Sequence, residues 1–350
     1  MDTALRADLA VRGVRARPSV RRRGGAGPSD DGHHRVGGRQ AALPMAEDSP
    51  YSVTGGQLLR DGVPIGVEAE AVARPRFYDL HTGDGVPYHQ IARLHGSEVL
   101  ATTVVQTCVR YAADQRCRFC TIEESLKAGQ TIQVKRPEQI AEVAAAAVEL
   151  DGVTQLVMTT GTSNGADRGA RHLVRCTAAV AAAVPGLPIQ VQCEPPRDLS
   201  IIAALRDAGA TAIGIHVESL DDEVRRRWMP GKSTVSLEEY RGAWRHAVRV
   251  FGANRVSTYL LVGLGEDPDE LVAGARELIA MGVYPFVVPF RPLAGSLAAG
   301  DGATAPPAEQ AAEVTDRVAA ALREVGMRGE DQGAGCAACG ACSALAAAGG

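Results

Sequence analysis

This sequence predicts an α/β fold with a parallel sheet, on two observations. Apolar, β-rich segments alternate with amphipathic helical segments six times between residues 99 and 325. The strand segments are apolar nearly throughout, as strands covered on both faces by helices are. A chain of 350 residues makes one large domain or two ordinary ones and can bury a core without covalent staples.

The elements follow in order. VLATTVVQTC (99–108) is the first strand. PEQIAEVAAAAVEL (137–150) is a helix with Pro137 at its first position and Ile140, Val143, Ala147 and Leu150 near one face. TQLVMTT (154–160) is the second strand, followed by a helix over 169–184. PIQVQCE (188–194) is the third, before a helix over 199–208, and TAIGIHVE (211–218) is the fourth. Ser236 and Glu239 form a capping box for a helix with the stripe Leu237, Tyr240, Trp244, Val248 and Phe251, ending at Gly252. RVSTYLLVGLG (255–265) is the fifth strand. Asp267 then caps a helix that starts at Pro268, buries Leu271, Ala275, Leu278 and Ile279, and stops at Gly282. YPFVVPF (284–290) is the sixth strand, and a last helix carries Val314, Val318, Leu322 and Val325. Six units fit an open doubly wound sheet or a barrel that stops short of eight.

Residues 1–98 are less regular. A short helix near Leu5 and Leu9 precedes the Gly-rich RRRGGAGPSDDG and strand-like pieces such as GGQLLRDGVPIGVEA. A small β-rich cap is one expectation. The other takes Met45 as the start and leaves 1–44 without structure.

Composition narrows the function. Apolar residues at 45% and charged residues at 22% are ordinary for a soluble globular protein, and 4% aromatics make the core mainly aliphatic. A net charge of −4 argues against a nucleic-acid or acidic-membrane binder. The three lysines, Lys127, Lys135 and Lys232, against many arginines reflect codon composition. Nine arginines stand against four aspartates in the first 44 residues, but no apolar run of signal length follows them. The expected setting is therefore cytoplasmic. Six of the eight cysteines form two tight triads in a large chain, a pattern of metal binding rather than of a disulfide framework.

In parallel sheets of this kind the site gathers at the carboxyl ends of the strands. After the first strand comes CVRYAADQRCRFC, with Cys108, Cys117 and Cys120. Three thiolates can hold three irons of a [4Fe–4S] cube and leave the fourth open. Zinc with a distant fourth ligand, or a partly structural cluster, are the alternatives. TTGTSNG follows the second strand, Cys193-Glu194-Pro195-Pro196 ends the third, and Glu218-Ser219 ends the fourth. GCAACGACSA near the C-terminus supplies Cys336, Cys339 and Cys342, a spacing that suits an iron–sulfur cluster or, as runner-up, zinc. Its fourth ligand is open among Ser343, Cys193, a substrate and an exogenous thiol.

On these residues the chain resembles the radical S-adenosylmethionine (SAM) superfamily. Phe119 fills the aromatic place before the third cysteine of the family's CxxxCxxC motif, and Cys117-x2-Cys120 matches it. Eight residues separate Cys108 from Cys117 where three are usual, so RYAADQR is expected to bulge as a polar loop. The resemblance implies that Thr160, Gly161 and Thr162 receive the amino group of SAM, and that Glu194 and Glu218 contact SAM or substrate. LLVGLGED is similar to the family's GxIxGxxE, with Leu261, Gly263 and Glu266 in place beside adenine and Tyr259 where the first Gly stands. PFRPLAGS is similar to the last barrel segment of the biotin-synthase-like branch, and makes Arg291 a candidate for a substrate carboxylate. Glu194 and Arg291 are thus the candidates for catalytic contact, while Cys176 and Cys193 are read as packing. GGAGP, RRWMPGKSTVSLEEY and the Cys-rich tail resemble the radical SAM proteins encoded in bacterial nitrilase-containing gene clusters.

The fold so implied is a partial (β/α)6 TIM barrel over 99–296, with an N-terminal β-rich extension over 1–98 and a final helix and Cys-rich tail over 297–350. The implied activity is reductive cleavage of SAM at a [4Fe–4S] cluster and hydrogen abstraction from a small-molecule substrate, with flavodoxin or ferredoxin as reductant and an auxiliary Fe–S cluster in the tail. A sulfur-inserting synthase of the biotin or lipoyl synthase type and a non-catalytic zinc-binding barrel are the alternatives.

Overall fold

The computed structural model describes residues 1–15 and 32–349. The Gly-rich stretch up to residue 31, with Arg17, Arg21, Arg22 and Arg23, lies outside the described residues.

Two sheets organise the chain. The first comprises β1 (Gly32–Val36), β2 (Arg39–Leu43), β3 (Tyr51–Thr54), β4 (Gln57–Arg60) and β5 (Val63–Ala71), in the antiparallel order β2-β1-β5-β4-β3. It has its own apolar core, including Leu9, Val36, Leu43, Tyr51 and Leu58. The helix Thr3–Arg12 lies beside it, capped by the Asp2 carboxylate, which accepts from Leu5 N–H at 2.8 Å. Residues 1–15 and 32–44 are thus packed, so the expectation that they lack structure does not hold for them. Ala7 of that helix packs against Ala311 and Ala344, and Ala42 N–H donates to Ala341 O at 2.8 Å. These contacts tie the extension to the tail.

The second sheet curls into a half-barrel. Its strands are β6 (Arg93–His95), β7 (Val99–Thr103), β8 (Gln155–Thr159), β9 (Ile189–Gln192), β10 (Ala212–Gly214), β11 (Val256–Val262) and β12 (Val283–Pro289). They run in sequential order from β12 to β6. β7 to β12 are the six expected parallel strands, and β6 adds an antiparallel edge to β7. Helices Pro137–Asp151, Ala170–Ala183, Leu237–Phe251, Pro268–Ala280 and Ala308–Glu324 cover it. Each aliphatic side chain they bury fully, such as Ile140, Leu173 and Val318, stabilises by roughly 1.5–3 kcal/mol.

Several elements stop short of expectation at their ends, including the third strand at Gln192 and the fifth at Val262. The first strand stops at Thr103 rather than at Cys108, because Val105 leaves the ladder for an isolated bridge to Val134. The fourth stops at Gly214, and the chain then turns until Glu218 sits at φ 65°. The last helix ends at Glu324, and Val325 is 60% exposed rather than on the buried stripe. A helix at Asp222–Trp228, capped by Asp221, is additional to the expected set.

Candidate active site

A cavity of about 420 Å³ opens where β7 to β11 end. Cys108, Cys117 and Cys120 all face it, together with Phe119, Thr160, Gly161, Thr162, Glu194, Glu218 and Leu261. None of the eight cysteines is in a disulfide. Burial pushes the Cys117 thiol well above its ordinary range, against the pull of the Lys232 charge. Burial likewise pushes Cys120 up to about 11. Such thiols keep their protons until a metal replaces them. Three half-buried thiols on one cavity fit an iron–sulfur cluster with one open iron. Two further polar atoms on the cavity residues, Thr121 Oγ1 and His216 Nε2, are buried without a partner, as groups awaiting a polar ligand are.

The long gap before Cys117 is an anchored loop. Val109 N–H donates to Thr162 O at 2.8 Å, and Gly231 N–H donates to Gln115 O at 2.9 Å. Arg116 stacks 4.1 Å over the Tyr111 ring and donates to Cys120 O at 2.8 Å. The extra residues also deliver Arg110, whose guanidinium donates to Glu194 Oε2 at 2.7 Å. Thr162 Oγ1 donates to Glu194 Oε1 at 2.5 Å. Glu194 is therefore held by both the cysteine loop and the turn after β8. Gly161 permits that turn, since a Cβ there would lie 2.1 Å from Thr107 O.

Glu218 pairs with Lys232 at 2.5 Å, both side chains nearly buried. Burial is the largest single influence and opposes the lysine's charge, but Glu218, with Tyr240, Glu194 and Cys117 adding to it, outweighs burial and holds Lys232 above its ordinary range. A left-handed backbone at a non-glycine costs about 1–2 kcal/mol, and such strain concentrates at functional positions. His216 completes this wall. Its ring stacks on Tyr259 at 4.2 Å, and its Nδ1 accepts from Tyr259 N–H at 3.2 Å. Burial, with Lys232 adding to it, pushes the imidazole down to about 3. A neutral ring whose Nδ1 accepts carries its proton on Nε2. Arg110, Lys232, His216 and Gln192 were not singled out from the sequence as site residues. Arg110 lies in the cysteine loop, Gln192 ends β9 and His216 follows β10, whereas Lys232 comes after a helix and carried no such signal.

Two expected site residues are elsewhere. Gly263 does not line the cavity. At φ 100° it turns the chain past Pro306, whose Cβ lies 2.7 Å from where a Cβ would stand, and its N–H donates to Glu266 Oε1 at 3.0 Å. Arg291 points toward the first sheet, donating to Ala42 O at 3.2 Å. The turn after β12 carries it away from the cavity, which Leu293 reaches instead.

The tail triad sits behind the cavity. Cys336 opens the single turn Cys336–Cys339, and its Sγ accepts from the Tyr259 hydroxyl at 2.8 Å and from Gln192 Nε2 at 3.3 Å. Gln192 and Tyr259 also line the cavity, so two side chains separate it from the tail triad. Gly335 allows the close approach, as a Cβ there would meet Gln190 Nε2 at 2.1 Å. Cys339 Sγ lies 3.8 Å from Gln40 Oε1, and Cys342 Sγ lies 3.5 Å from His95 Nε2. Of the expected fourth ligands, Ser343 is engaged with Val287 O at 2.5 Å and Leu345 N–H at 3.1 Å, and Cys193 faces the cavity. Among the described residues no three His, Cys, Asp or Glu side chains converge on a point as one ion requires, so zinc finds no support.

Residues 111–278 match the model of the radical SAM superfamily. The chain is 26% identical over 177 residues to a mitochondrial lipoyl synthase of Trypanosoma brucei gambiense, covering 48% of this chain and 40% of that protein. It is 29% identical over 112 residues to bacteriochlorophyllide c C-7(1)-hydroxylase of Chlorobaculum limnaeum, covering 31% and 28%. The chain thus spans less than half the length of these relatives. Among solved structures, the FeFe-hydrogenase maturase HydG from Carboxydothermus hydrogenoformans is similar with a TM-score of 0.46 and 17% identity, over 66% of this chain and 52% of that one. Methylornithine synthase is similar with a TM-score of 0.44 and 20% identity, over 57% and 55%. Among the described residues no helix is long and apolar enough to cross a membrane.

Proposed function

We propose, from the premise that residues 111–278 are a radical SAM domain, that this chain is a radical SAM enzyme acting on a small molecule. One observation carries the reading. Three cysteines, the Thr160–Thr162 turn and Glu194 meet at one cavity at the carboxyl ends of parallel strands. Held there, a [4Fe–4S] cluster and SAM would supply one-electron reductive cleavage and hydrogen-abstraction chemistry at an unactivated carbon.

The chain's own residues hold and orient. Cys108, Cys117 and Cys120 would ligate three irons. Glu194, fixed by Arg110 and Thr162, and the backbone of Thr160–Thr162 would receive the methionine end, while Phe119 and Leu261 would offer apolar surface for adenine. Glu218 and Lys232 present a charge pair, and the His216 Nε2 proton is the donor available for substrate. The tail triad would hold an auxiliary iron–sulfur cluster. Its place behind Gln192 and Tyr259 suits electron exchange with substrate, and suits a second reading, sulfur insertion, in which that cluster is consumed. The Cys-rich tail also supports a place near the biotin-synthase-like branch and the nitrilase-cluster proteins. A cytoplasmic setting with flavodoxin or ferredoxin as reductant completes the proposal.

Anaerobic reconstitution tests it. We expect about eight irons per chain, 5′-deoxyadenosine formed with dithionite and SAM, and loss of that product in Cys117→Ala. A reconstituted chain that forms none would overturn the reading. Sulfur insertion predicts product capped at one turnover until the cluster is rebuilt.

A further inference from the structure

We propose that His95 is the fourth protein ligand of the tail site, making it a Cys3His iron–sulfur centre. The inference rests on the auxiliary-cluster reading and adds the residue that completes it. Cys336, Cys339 and Cys342 come from one short turn, so they cover one side of any cluster they hold. A protein ligand for the remaining iron has to come from the wall opposite.

His95 is on that wall. It ends β6, the antiparallel edge strand, which β7 holds in register through His95 opposite Val99. Its Nε2 lies 3.5 Å from Cys342 Sγ, and its ring is also within hydrogen-bonding range of Cys339. The ring is braced edge-on by His33 at 4.7 Å and 81°. His33 is itself fixed, its Nδ1 accepting from Gly96 N–H at 2.8 Å. Two elements of the extension and the barrel edge therefore aim one imidazole nitrogen at the thiols.

The competing donors are committed. Ser343 Oγ is held by Val287 and Leu345, and the Tyr259 hydroxyl donates its hydrogen bond to Cys336 Sγ. Imidazole is an established iron–sulfur ligand, and replacing one thiolate by it leaves the centre less negative and easier to reduce. On loading, the three thiol protons and the proton on His95 Nε2 leave to solvent, and the Nε2 lone pair so freed binds iron.

Pulsed EPR on the reduced, reconstituted full chain tests this. The Cys117→Ala background removes the first cluster's signal, and the wild-type difference spectrum serves as a check on it. We expect a directly bonded nitrogen-14 coupling that His95→Ala abolishes. His95→Cys should restore a four-thiolate cluster with full iron content, no nitrogen coupling and a lower midpoint potential. About four irons in the Cys117→Ala chain with no nitrogen coupling, or a coupling unchanged by His95→Ala, would overturn the ligand and leave the auxiliary cluster standing. If instead Cys117→Ala empties the chain of iron and Cys339→Ala changes nothing, the auxiliary-cluster reading itself fails, and the inference with it.

Discussion

The Tyr259 hydroxyl donates to the Cys336 thiol across 2.8 Å while its ring stacks on His216 in the cavity wall. One side chain therefore touches both candidate sites. Burial first, and then the three tail thiols, push the phenol well above its ordinary range, so it stays a donor. Hydrogen bonds to cluster sulfur stabilise the reduced form and raise its potential. Tyr259→Phe keeps the ring and deletes the donor. With the tail cluster loaded, its midpoint should fall by about 20–60 mV, the equivalent of one net hydrogen bond of roughly 0.5–1.5 kcal/mol. A redox titration followed by EPR reads it, and an unchanged midpoint excludes the role.

Arg110 and Glu194 make a pair with 14% and 12% of their side chains exposed. Removing one partner leaves the other charge desolvated, which costs about 3–5 kcal/mol for a fully buried pair. Arg110→Ala should therefore lower the chain's stability by about 2–4 kcal/mol and weaken SAM binding at least tenfold, read by denaturant titration and calorimetry. Pairing Arg110→Ala with Glu194→Gln should recover much of the stability but not the binding. Full recovery of both would show the pair to be structural alone.

What was legible in the sequence was local. Six strands and their helices follow from hydrophobic period, and Ser236, Asp267 and Pro268 start their helices where capping chemistry puts them. The first triad and the Thr160–Thr162 turn were legible because each lies just past a strand. What was not legible depends on chain-distant approach. His95 and Cys342 meet across 247 residues, and Arg110 reaches Glu194 across 84. Glu218 looked like the end of a strand because its apolar neighbours continue the alternation, yet its backbone has already turned to φ 65°. Arg291 looked like a ligand by position, but the turn beyond β12 swings it to the first sheet.

Lys135 gives a pH signature. It is fully buried, with Nζ donating to Thr103 O at 2.6 Å, and burial pushes its pKa from 10.5 down to about 7. Between about 7 and 10.5 the unfolded chain holds a proton that the folded chain has released. Folded stability should therefore rise with pH through that window, and the full penalty applies below about 7. Lys135→Met removes the linkage. The wild type should gain on Lys135→Met between pH ~7 and ~10, by at most about 1.4 kcal/mol for each pH unit crossed. Urea titrations of both chains across that range measure it, and parallel pH profiles would refute it.

Gly161 is the position where one added methyl should separate fold from site. Its N–H donates to Val105 O at 2.8 Å, and an added Cβ would lie 2.1 Å from Thr107 O and 3.0 Å from Ile122 Cδ1. The nearer obstacle is backbone, one residue before Cys108, so the chain must move rather than a side chain rotate. Overpacking of this kind costs about 1–3 kcal/mol. The displacement acts on both flanks, on Cys108 and on Thr162, whose hydroxyl fixes Glu194. Gly161→Ala should therefore lower stability by that amount, leave the first cluster incompletely loaded after reconstitution, and lower 5′-deoxyadenosine formation at least tenfold. The tail irons should be unaffected, since Cys336 is bonded instead to Tyr259 and Gln192. Unimpaired loading and turnover in Gly161→Ala would mean that the turn after β8 does not shape the site.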